Sequence, residues 1–418
     1  MRPFADRRPA LPGRQGAPGV PKSRQSRSAG APLVIAIVSD AIYPYHMGGK
    51  EMRYHHVING LVERNIEVHV FTMRWWNGPR SKREGGAQLH ALCRRFPLYR
   101  GGRRSVLQAA MFAVACLRLV VYRYDLIEAD HMPHLQLFTI RAVAWARRVP
   151  LVVTWHEFWG PEYWREYVGW PAPLAAAIER LSLRQGDAIV TPSSETMARL
   201  VEQGVPQERV SVVPNGVDLD LIDNVEPSTE RFDVLYVGRL IAHKHVDLLI
   251  EAMVELRVDD RPVTCAIVGD GPEFSTLENL VNRFGLDKRV QFFGNLQSHS
   301  EIFGLMKSAR VFVLPSTREG FGMVVAEAIA CGLSVITTNH EDNQARVLVE
   351  HGVTGWLCEP TAESLASYLS LVLSGSAPTQ SDEAVQASRT ALLERLSWRA
   401  SVEALVQVFS DTRSAGAP

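Results

Sequence analysis

A regular alternation of short β-branched runs with longer amphipathic stretches limits the fold of this chain more than any other feature. It begins at Leu33, where LVIAIVS (33–39) has the composition of a buried strand. Four further runs of the same type follow along the chain: EVHVFTM, DLIEAD, LVVTW and DAIVTP. Strands that alternate with helices form βαβ units, in which the strands are parallel members of one sheet. The first half of the chain is therefore predicted to be an α/β domain.

The same pattern begins again at Asp233, which predicts a second α/β domain. A helix is expected from Val246 to Leu256, and the strands of this series are DVLYVG, VTCAIVG, RVQFFG, RVFVLP and LSVITT. Between the two series lies the stretch PNGVDLDLIDNVEPSTE, whose Asn-Gly pair and two prolines mark a domain boundary. A length of 418 residues suits two domains, and we assign residues 32–216 and 217–395 to them.

The two ends of the chain differ from these domains. Residues 1–31 are rich in Pro, Gly, Ser and Arg, with Asp6 as their only acid, and no apolar run follows that would complete a secretory signal. They are predicted to be a disordered basic tail, which is either simply solvated or touches a membrane or a partner. The segment 396–418 contains a predicted helix around Trp398 to Phe409, a candidate to pack back on the first domain.

Overall charge and cysteine usage exclude several classes of protein. Acidic and basic residues balance at 45 each, so composition does not indicate a nucleic-acid-binding protein. The five cysteines are scattered without a C-x-x-C pair, which argues against a zinc site or a disulfide framework. This usage fits a reducing compartment, and we expect a cytoplasmic protein.

One apolar run, from Val106 to Tyr122, allows two interpretations. It reads VLQAAMFAVACLRLVVY, is preceded by Arg100, Arg103 and Arg104, and contains Arg118. A membrane span needs about 20 apolar residues, so this run is slightly short. The simpler interpretation is a buried helix of the first domain. The alternative is an interfacial helix that docks on anionic lipid at the inner face of a membrane.

The main candidate site is the stretch from Glu319 to Glu327. Ligands of open parallel sheets bind at the carboxyl ends of the strands, and two facing sheets predict a cleft between the domains. Here a strand is followed by E-G-F-G (319–322) and then by a helix that carries Glu327. Glycines before a helix let an anion approach the free N–H groups, which suits a nucleotide phosphate. Glu319 can accept hydrogen bonds from sugar hydroxyls, and Glu327 from a ribose diol.

Two basic residues follow the first strand of the second domain. Arg239 offers a planar guanidinium fork and Lys244 a point charge, so together they can hold a diphosphate. A departing nucleoside diphosphate gains negative charge, which fixed cations stabilise without a metal ion.

Two pairs of glycines are weaker candidates for donor binding. Gly269 and Gly271 follow a strand, but position 274 is Phe where a dinucleotide fingerprint needs Gly. They form either a turn at the floor of the pocket or a purely structural turn. Gly48 and Gly49 precede a predicted helix, where they allow the backbone to approach a phosphate or acceptor, or form a flexible loop.

Polar residues of the first domain complete the candidates. His156 and Glu157 directly follow the strand LVVTW, and His156 can contact the donor sugar or assist proton transfer from the acceptor. His131, after DLIEAD, is a weaker candidate of the same kind. Asp218 and Asp220 form a D-x-D, but this pair lies in the predicted hinge, and we expect no required metal ion.

These motifs resemble the family-four retaining glycosyltransferases of the GT-B class. The resemblance covers about residues 33–410 in layout, and its most specific parts are G-R-L-x-x-x-K (238–244), G-D-G-P-E (269–273), P-S-x-x-E-G-F-G (315–322) and the E-x7-E pair. It implies an α/β fold of two Rossmann-like, parallel-sheet domains that face an interdomain cleft, with the acceptor bound by the first domain and the nucleotide sugar by the second.

The resemblance also implies roles for matching positions. Arg239 and Lys244 would bind the donor diphosphate, and Glu319 the transferred sugar, beside the Phe321 and Gly322 backbone. The ribose would bind Glu327. His156 looks like the first-domain histidine beside the donor. The implied reaction keeps the anomeric configuration, with a UDP- or GDP-linked donor substrate, no separate cofactor, and a glycan or lipid-linked acceptor.

The chain departs from the family pattern at three places. Glu157 stands where Asp is usual, His245 where Gly commonly follows the lysine, and NHEDNQ (339–344) where paired glycines are common. Two alternatives to a transferase remain at this point. One is a nucleotide-sugar epimerase of similar build, expected to keep other catalytic acids; the other is a non-catalytic nucleotide- or carbohydrate-binding module, which need not keep Glu319, Glu327, Arg239 and Lys244.

Overall fold

A computed structural model describes residues 33–100, 103–254, 256–258, 260–296, 298–377 and 381–416. The predicted disordered tail, residues 1–31, lies outside these ranges. Within them, the chain folds into two halves, each built on its own sheet of mainly parallel strands.

The first half contains an eight-stranded sheet. Its order is β10-β9-β8-β7-β1-β2-β4-β3, and every neighbouring pair is parallel except β3 with β4. A small antiparallel pair, β5 with β6, lies apart from it. The strands are β1 (Val34–Val38), β2 (Glu67–Arg74), β3 (Ser81–Glu84), β4 (Ala87–Arg94), β5 (Tyr99–Arg100), β6 (Arg103–Arg104), β7 (Leu126–Asp130), β8 (Leu151–Thr154), β9 (Ala188–Thr191) and β10 (Val210–Val212).

Helices cover both faces of this sheet, because β1, β7 and β8 are buried along their whole length and need apolar partners on either side. This half also contains two short 3-10 helices, Cys116–Val121 and Gln207–Arg209. The α-helices are α1 (Gly49–Glu63), α2 (Val106–Ala115), α3 (Leu135–Arg147), α4 (Gly160–Val168), α5 (Ala172–Ser182) and α6 (Ser194–Glu202).

The second half contains a six-stranded, fully parallel sheet in the order β15-β14-β11-β16-β17-β18, and a small hairpin of β12 with β13. The 3-10 helices here are Ala242–Lys244 and Gln344–Leu348. In chain order the elements are α7 (Leu219–Asn224), β11 (Val234–Val237), α8 (Val246–Ala252), β12 (Arg257–Val258), β13 (Arg261–Pro262), β14 (Cys265–Val268), α9 (Phe274–Arg283), β15 (Val290–Gly294), α10 (His299–Ser308), β16 (Val311–Leu314), α11 (Met323–Ala330), β17 (Ser334–Thr338), β18 (Gly355–Cys358), α12 (Ala362–Leu373), α13 (Asp382–Arg395) and α14 (Trp398–Ser414).

The predicted fold of two Rossmann-like, parallel-sheet domains is confirmed. One apolar core fills the second half, and two fill the first, one on each face of its sheet. The helix expected from Val246 to Leu256 ends earlier, at Ala252, and Arg257–Val258 already belongs to the hairpin. None of the described helices is long and apolar enough to cross a bilayer.

Helix α14 returns to the first half. Val402, Leu405 and Phe409 are buried in one of its two cores, and Val402 packs so closely on α1 that a Cβ at Gly60 would lie 2.8 Å from it. On the way back, the chain runs beside the earlier crossing, where Val217 N donates to the Leu396 carbonyl at 2.6 Å. Two segments of chain therefore join the halves at one place.

The interpretation of Val106–Tyr122 as a buried helix is wrong. The run forms α2 and the 3-10 helix that follows, and only one side of it faces the core, through residues such as Phe112, Cys116 and Leu119. On the other side Val106 is 75% exposed and Val114 is 62% exposed. The run therefore contributes apolar side chains to the outer surface of the first half as well as to its core.

Candidate functional site

The loop between β16 and α11 holds the carboxylate that the sequence singled out. Gly322 ends this loop with φ +83°, a conformation that side-chain-bearing residues rarely adopt. A Cβ there would also lie 2.3 Å from the Cβ of Ala345. The loop is fixed on its other side because Glu319 N donates to the Asp342 carbonyl at 3.0 Å. Phe321, beside Gly322, is buried in the core of the second half.

The structure brings Lys244 and Glu319 into direct contact. The Nζ of Lys244 lies 2.5 Å from Oε1 of Glu319, and both side chains are largely buried. A backbone bond from Thr317 N to the His243 carbonyl, 3.0 Å long, joins the two loops beside them. The predicted diphosphate-binding cation and the predicted sugar-binding carboxylate therefore form an ion pair.

Arg239 lies at the same strand edge but faces the first half. Its guanidinium carbon is 4.6 Å from the ring centroid of Tyr99, a cation–π distance. The side chain is exposed. Gly269 and Gly271 pack directly against the backbone of the Arg239 loop. A Cβ at either position would lie about 2 Å from a carbonyl oxygen of residues 238–240. The packing gives these two glycines a structural role in placing the Arg239 loop.

Glu327 lies one turn into α11 and is half-buried. Burial raises the pKa of Glu327 to about 8, and the negative charge of Asp218 acts in the same direction. Asp218 itself caps α7, where its Oδ1 accepts from Leu221 N at 3.1 Å. Asp218 of the D-x-D therefore serves as a helix cap, a role that the sequence analysis did not predict.

Across the cleft, the beginning of α1 faces the beginning of α11. Gly48 is the extended N-cap of α1, and a Cβ on Gly49 would lie 3.3 Å from the Sδ of Met323, the first residue of α11. A Cβ on Gly320 would lie 2.8 Å from the His156 carbonyl oxygen. Glycines of both halves therefore let two helix N-termini and the Glu319 loop meet with little space between them.

His156 stands at the carboxyl end of β8, with 18% of its side chain exposed. Burial lowers the pKa of His156 to about 3, against the opposing charge of Asp130, so its imidazole is neutral at physiological pH. Its Nε2 is 3.7 Å from Oδ1 of Asp130 and makes no hydrogen bond with the described residues. His131 is buried beside it, and the backbone N–H of His156 donates to Nδ1 of His131 at 3.4 Å.

Sequence reasoning missed a buried ion network next to these histidines. The Nζ of Lys50 bridges Asp40, at 2.8 Å, and Asp130, at 2.7 Å, and Arg104 binds the other oxygen of Asp40 at 2.7 Å. Burial, the largest single influence, would raise the pKa of each aspartate, but the charge of Lys50 acts together with neighbouring positive charges and hydrogen bonds and holds the pKa of both below its usual range. The only sequence signals were that Asp40 follows a strand, that Asp130 ends one, and that Lys50 follows the glycine pair.

The unusual Glu157 connects the two halves. Its Oε1 accepts from Trp159 Nε1 at 2.6 Å, and its Oε2 lies 3.7 Å from Nε of Arg318, in the Glu319 loop. The guanidinium of Arg318 also lies 3.7 Å from the ring centroid of Tyr163. The extra methylene of Glu, compared with Asp, gives the carboxylate the reach for these contacts.

Among the described residues, one group has the spacing of a metal site: Asp130, His131 and His156, whose ligand atoms lie within 4.8 Å of one another. The neutral His156 fits such a site, but the ammonium of Lys50, 2.7 Å from Asp130, competes for the same carboxylate. Hollows elsewhere on the surface, along α13 and between residues 241–247 and α9, contain none of the candidate catalytic residues.

Family models match both halves of the chain. Residues 47–221 match Glycosyltransferase Family 4, and residues 220–390 match Glycosyl transferases group 1. The chain belongs to the GT-B glycosyltransferases. Together the two matches include the glycine pair, both strand-end loops and the E-x7-E pair.

Curated relatives include enzymes with different products. Glycogen synthase of Mycobacterium tuberculosis (strain H37Rv) is 29% identical over 265 residues, which cover 62% of this chain and 63% of the relative. One component of the human phosphatidylinositol N-acetylglucosaminyltransferase is 27% identical over 349 residues, covering 80% of this chain and 67% of the relative. The chain thus matches less than two thirds of the glycogen synthase.

Solved structures share the fold. Sucrose-phosphate synthase from Thermosynechococcus elongatus superposes with a TM-score of 0.73 at 22% identity, covering 92% of this chain and all of that one. Alr3699/HepE of Anabaena, solved in complex with UDP, has a TM-score of 0.69 at 21% identity and covers 91% of this chain and all of its own. The predicted GT-B fold is confirmed by these similarities.

Proposed function

We propose that this chain transfers a hexose-type sugar from a UDP- or GDP-linked donor to a glycan or lipid-linked acceptor, with retention of the anomeric configuration and without a required metal ion. The observation that carries the proposal is the contact between Lys244 and Glu319 at 2.5 Å, beneath two opposed helix N-termini. A cation, a carboxylate and free N–H groups are the groups that a sugar diphosphate needs.

Donor binding would exchange partners within this ion pair. The diphosphate takes the charge of Lys244 and, from the exposed side, that of Arg239, which frees the Glu319 carboxylate to accept hydrogen bonds from the sugar. As the bond between the anomeric carbon and the phosphate oxygen breaks, negative charge grows on the diphosphate beside these two cations. Glu327 binds the ribose diol of the same donor.

The first half would hold the acceptor. The acceptor oxygen attacks the anomeric carbon from the side on which the diphosphate leaves, and its proton passes to the departing phosphate oxygen. His156 is neutral, and its Nε2 has no partner among the described residues, so it can bind a sugar hydroxyl. The buried Asp40–Lys50–Asp130 network fixes the strand ends beneath it.

A ligand panel tests the donor side. UDP, GDP, ADP and their sugars are added separately, and the melting temperature is followed, because a ligand that binds only the native state raises its stability. We expect a rise with one nucleoside diphosphate and its sugar. Release of that diphosphate should then depend on an added acceptor, with a product of unchanged anomeric configuration. Interconversion of donors without acceptor would indicate an epimerase, and binding without turnover would indicate a binding module.

A further inference from the structure

The surface of α2, the 3-10 helix Cys116–Val121 and α3 is unusually apolar for an outer surface. Seven of the seventeen large apolar side chains that are exposed in the described part of the chain lie between residues 106 and 121. They are Val106, Leu107, Met111, Val114, Leu117, Val120 and Val121. Contiguous exposed apolar residues of this kind mark a contact surface rather than ordinary solvent-exposed positions.

Helical spacing places these residues together. Leu107, Met111 and Val114 follow one another at intervals of four and three, the spacing of one helix face, while Phe112 and Ala113 are buried on the other. Helix α3 packs beside α2 and carries Trp145, which is 69% exposed. Tryptophan is enriched where proteins meet the headgroup region of a bilayer.

Charge on this surface has one sign. From Tyr99 to Arg148 the only acidic residues are Asp125, Glu128 and Asp130, and all three belong to β7 or its beginning, where Asp125 accepts from Val34 N. The exposed charged residues of the surface are all arginines: Arg103, Arg118, Arg123, Arg147 and Arg148. In a chain of formal net charge zero, this is a local excess of positive charge beside an apolar face. That combination is complementary to anionic lipid.

We propose that this surface, which we call the docking face (α2, residues 116–121 and α3, with their arginines), binds the anionic surface of a membrane. The apolar side chains enter the boundary between headgroups and acyl chains, and the arginines contact the phosphates. The helices lie in the plane of the interface and do not cross the bilayer.

The docking face is joined directly to the candidate site. Arg104, in β6 just before α2, and Gln108, in the first turn of α2, both donate to Oδ2 of Asp40, at 2.7 and 3.1 Å. The backbone N–H of Arg104 also donates to the hydroxyl of Tyr167, in α4, at 2.7 Å. Lipid contact would therefore hold the acceptor edge of the first sheet close to the bilayer. This favours a lipid-linked acceptor over a free glycan, a choice that rests on the proposed function, whereas lipid binding itself does not.

Sedimentation with vesicles tests the docking face. The full chain is mixed with vesicles of phosphatidylcholine alone or with phosphatidylglycerol added, and bound protein is measured in the pellet. We expect binding to the anionic vesicles only, weakened by high salt because part of the attraction is electrostatic. The variant Val114→Glu/Leu117→Glu should lose at least about tenfold in partitioning, since it replaces two inserted apolar groups by charges. The matched control is Leu371→Glu, at a position 40% exposed in α12, and it should bind like the wild type.

Arginine variants separate the electrostatic part. Each of Arg123→Gln and Arg147→Gln should weaken partitioning roughly fivefold, while Arg395→Gln, on α13, should have no effect. Equal binding by Val114→Glu/Leu117→Glu and the wild type, or no binding to anionic vesicles, overturns the proposal. A third outcome also overturns it: the wild type binds no vesicles and is a dimer in sedimentation equilibrium, and Val114→Glu/Leu117→Glu makes it a monomer. The face would then bind a second copy of the chain.

Turnover of the nucleotide sugar, with a soluble glycan acceptor and separately with a lipid-linked acceptor, is measured on the same proteins. The docking variants should retain it, since none of the changed residues contacts the candidate site. Vesicle binding without any transfer would leave the docking face intact and refute the proposed function. Transfer without vesicle binding would support the proposed function and refute the docking face.

Discussion

The two sides of the cleft hold their polar groups in different ways. In the second half, the candidate residues come from two short loops that follow neighbouring strands, and Lys244 reaches Glu319 across them. In the first half, Asp40, Lys50, Arg104 and Asp130 form one buried network, although Arg104 and Asp40 lie 64 residues apart in the chain. The ion pair of the second half is a local construction of two loops, whereas the network of the first half is a fixed support assembled by the sheet.

The largest expected effect concerns the fixed support. Lys50→Met leaves the buried carboxylates of Asp40 and Asp130 without their shared cation, which should cost about 3–5 kcal/mol of unfolding free energy. Denaturant unfolding at pH 7 measures this, with Lys288→Met, at an exposed position, as the control. A loss no larger than that of the control would mean that the network contributes little.

The same network has a defined pH dependence. The pKa of Asp130 is lowered in the folded state, so its stabilisation is complete above the ordinary value of 3.8 and is lost as the pH falls below it. The difference between wild type and Lys50→Met should therefore shrink as the pH falls from about 4. A difference that grows in acid would contradict the assigned charges.

In the second half, Glu319→Ala should reduce transfer by about 10²–10³-fold, because it removes the group that we propose to contact the reacting sugar. The melting temperature should change little, since the residue lies in a loop and its partner Lys244 can turn to solvent. The exposed Glu341, in the adjoining loop, provides the control Glu341→Ala. Full transfer activity in Glu319→Ala would remove this residue from the site.

The prediction for Gly322 separates backbone strain from crowding. Gly322→Ala must adopt φ +83° and also collides with Ala345, so we expect a loss of about 2–4 kcal/mol together with weaker donor binding. Gly285→Ala has φ +65° but open space around it, and should lose only about 1 kcal/mol. Chemical denaturation gives both values, and equal losses would show that the loop yields to the added methyl group.

A smaller effect is expected from Glu327. Because burial raises its pKa to about 8, this carboxyl is mostly protonated in the free protein at neutral pH, whereas a ribose diol donates best to the carboxylate. Nucleoside diphosphate affinity should therefore fall as the pH drops from 9 to 7, by up to about tenfold per pH unit. Calorimetry at several pH values tests this, and Glu327→Gln should remove the dependence. A dependence unchanged in that variant would assign it to another group.

No effect is expected from chelators. The cations Arg239 and Lys244 lie where a donor diphosphate would bind, and Lys50 already neutralises Asp130, so EDTA should leave transfer unchanged. A strict need for Mn²⁺ or Mg²⁺ would contradict this prediction and would direct attention to Asp130, His131 and His156, the group with ligand spacing.

The same contrast explains what the sequence could predict. The two sheets follow from strand runs of buried composition, and the Glu319 loop follows from adjacent glycines, so both are visible in short stretches of sequence. The pair of Lys50 with Asp130 depends on β1 and β7 being neighbours in the sheet, which no local pattern specifies. Burial of Val106–Tyr122 was mispredicted because an apolar run does not reveal which of its sides meets the core.

The paired crossing of the chain constrains how the halves can move. Val217 bonds to Leu396 at 2.6 Å, and a Cβ on Gly216 would lie 2.5 Å from the backbone N of Trp398, so the outgoing and returning segments are laid side by side. A single covalent link would leave three rotational freedoms, but two adjacent links that must bend together leave mainly one. Any rotation of one half against the other is therefore expected to take place about residues 214–218 and 396–398, and shortening the chain before α14 would remove one of these two connections.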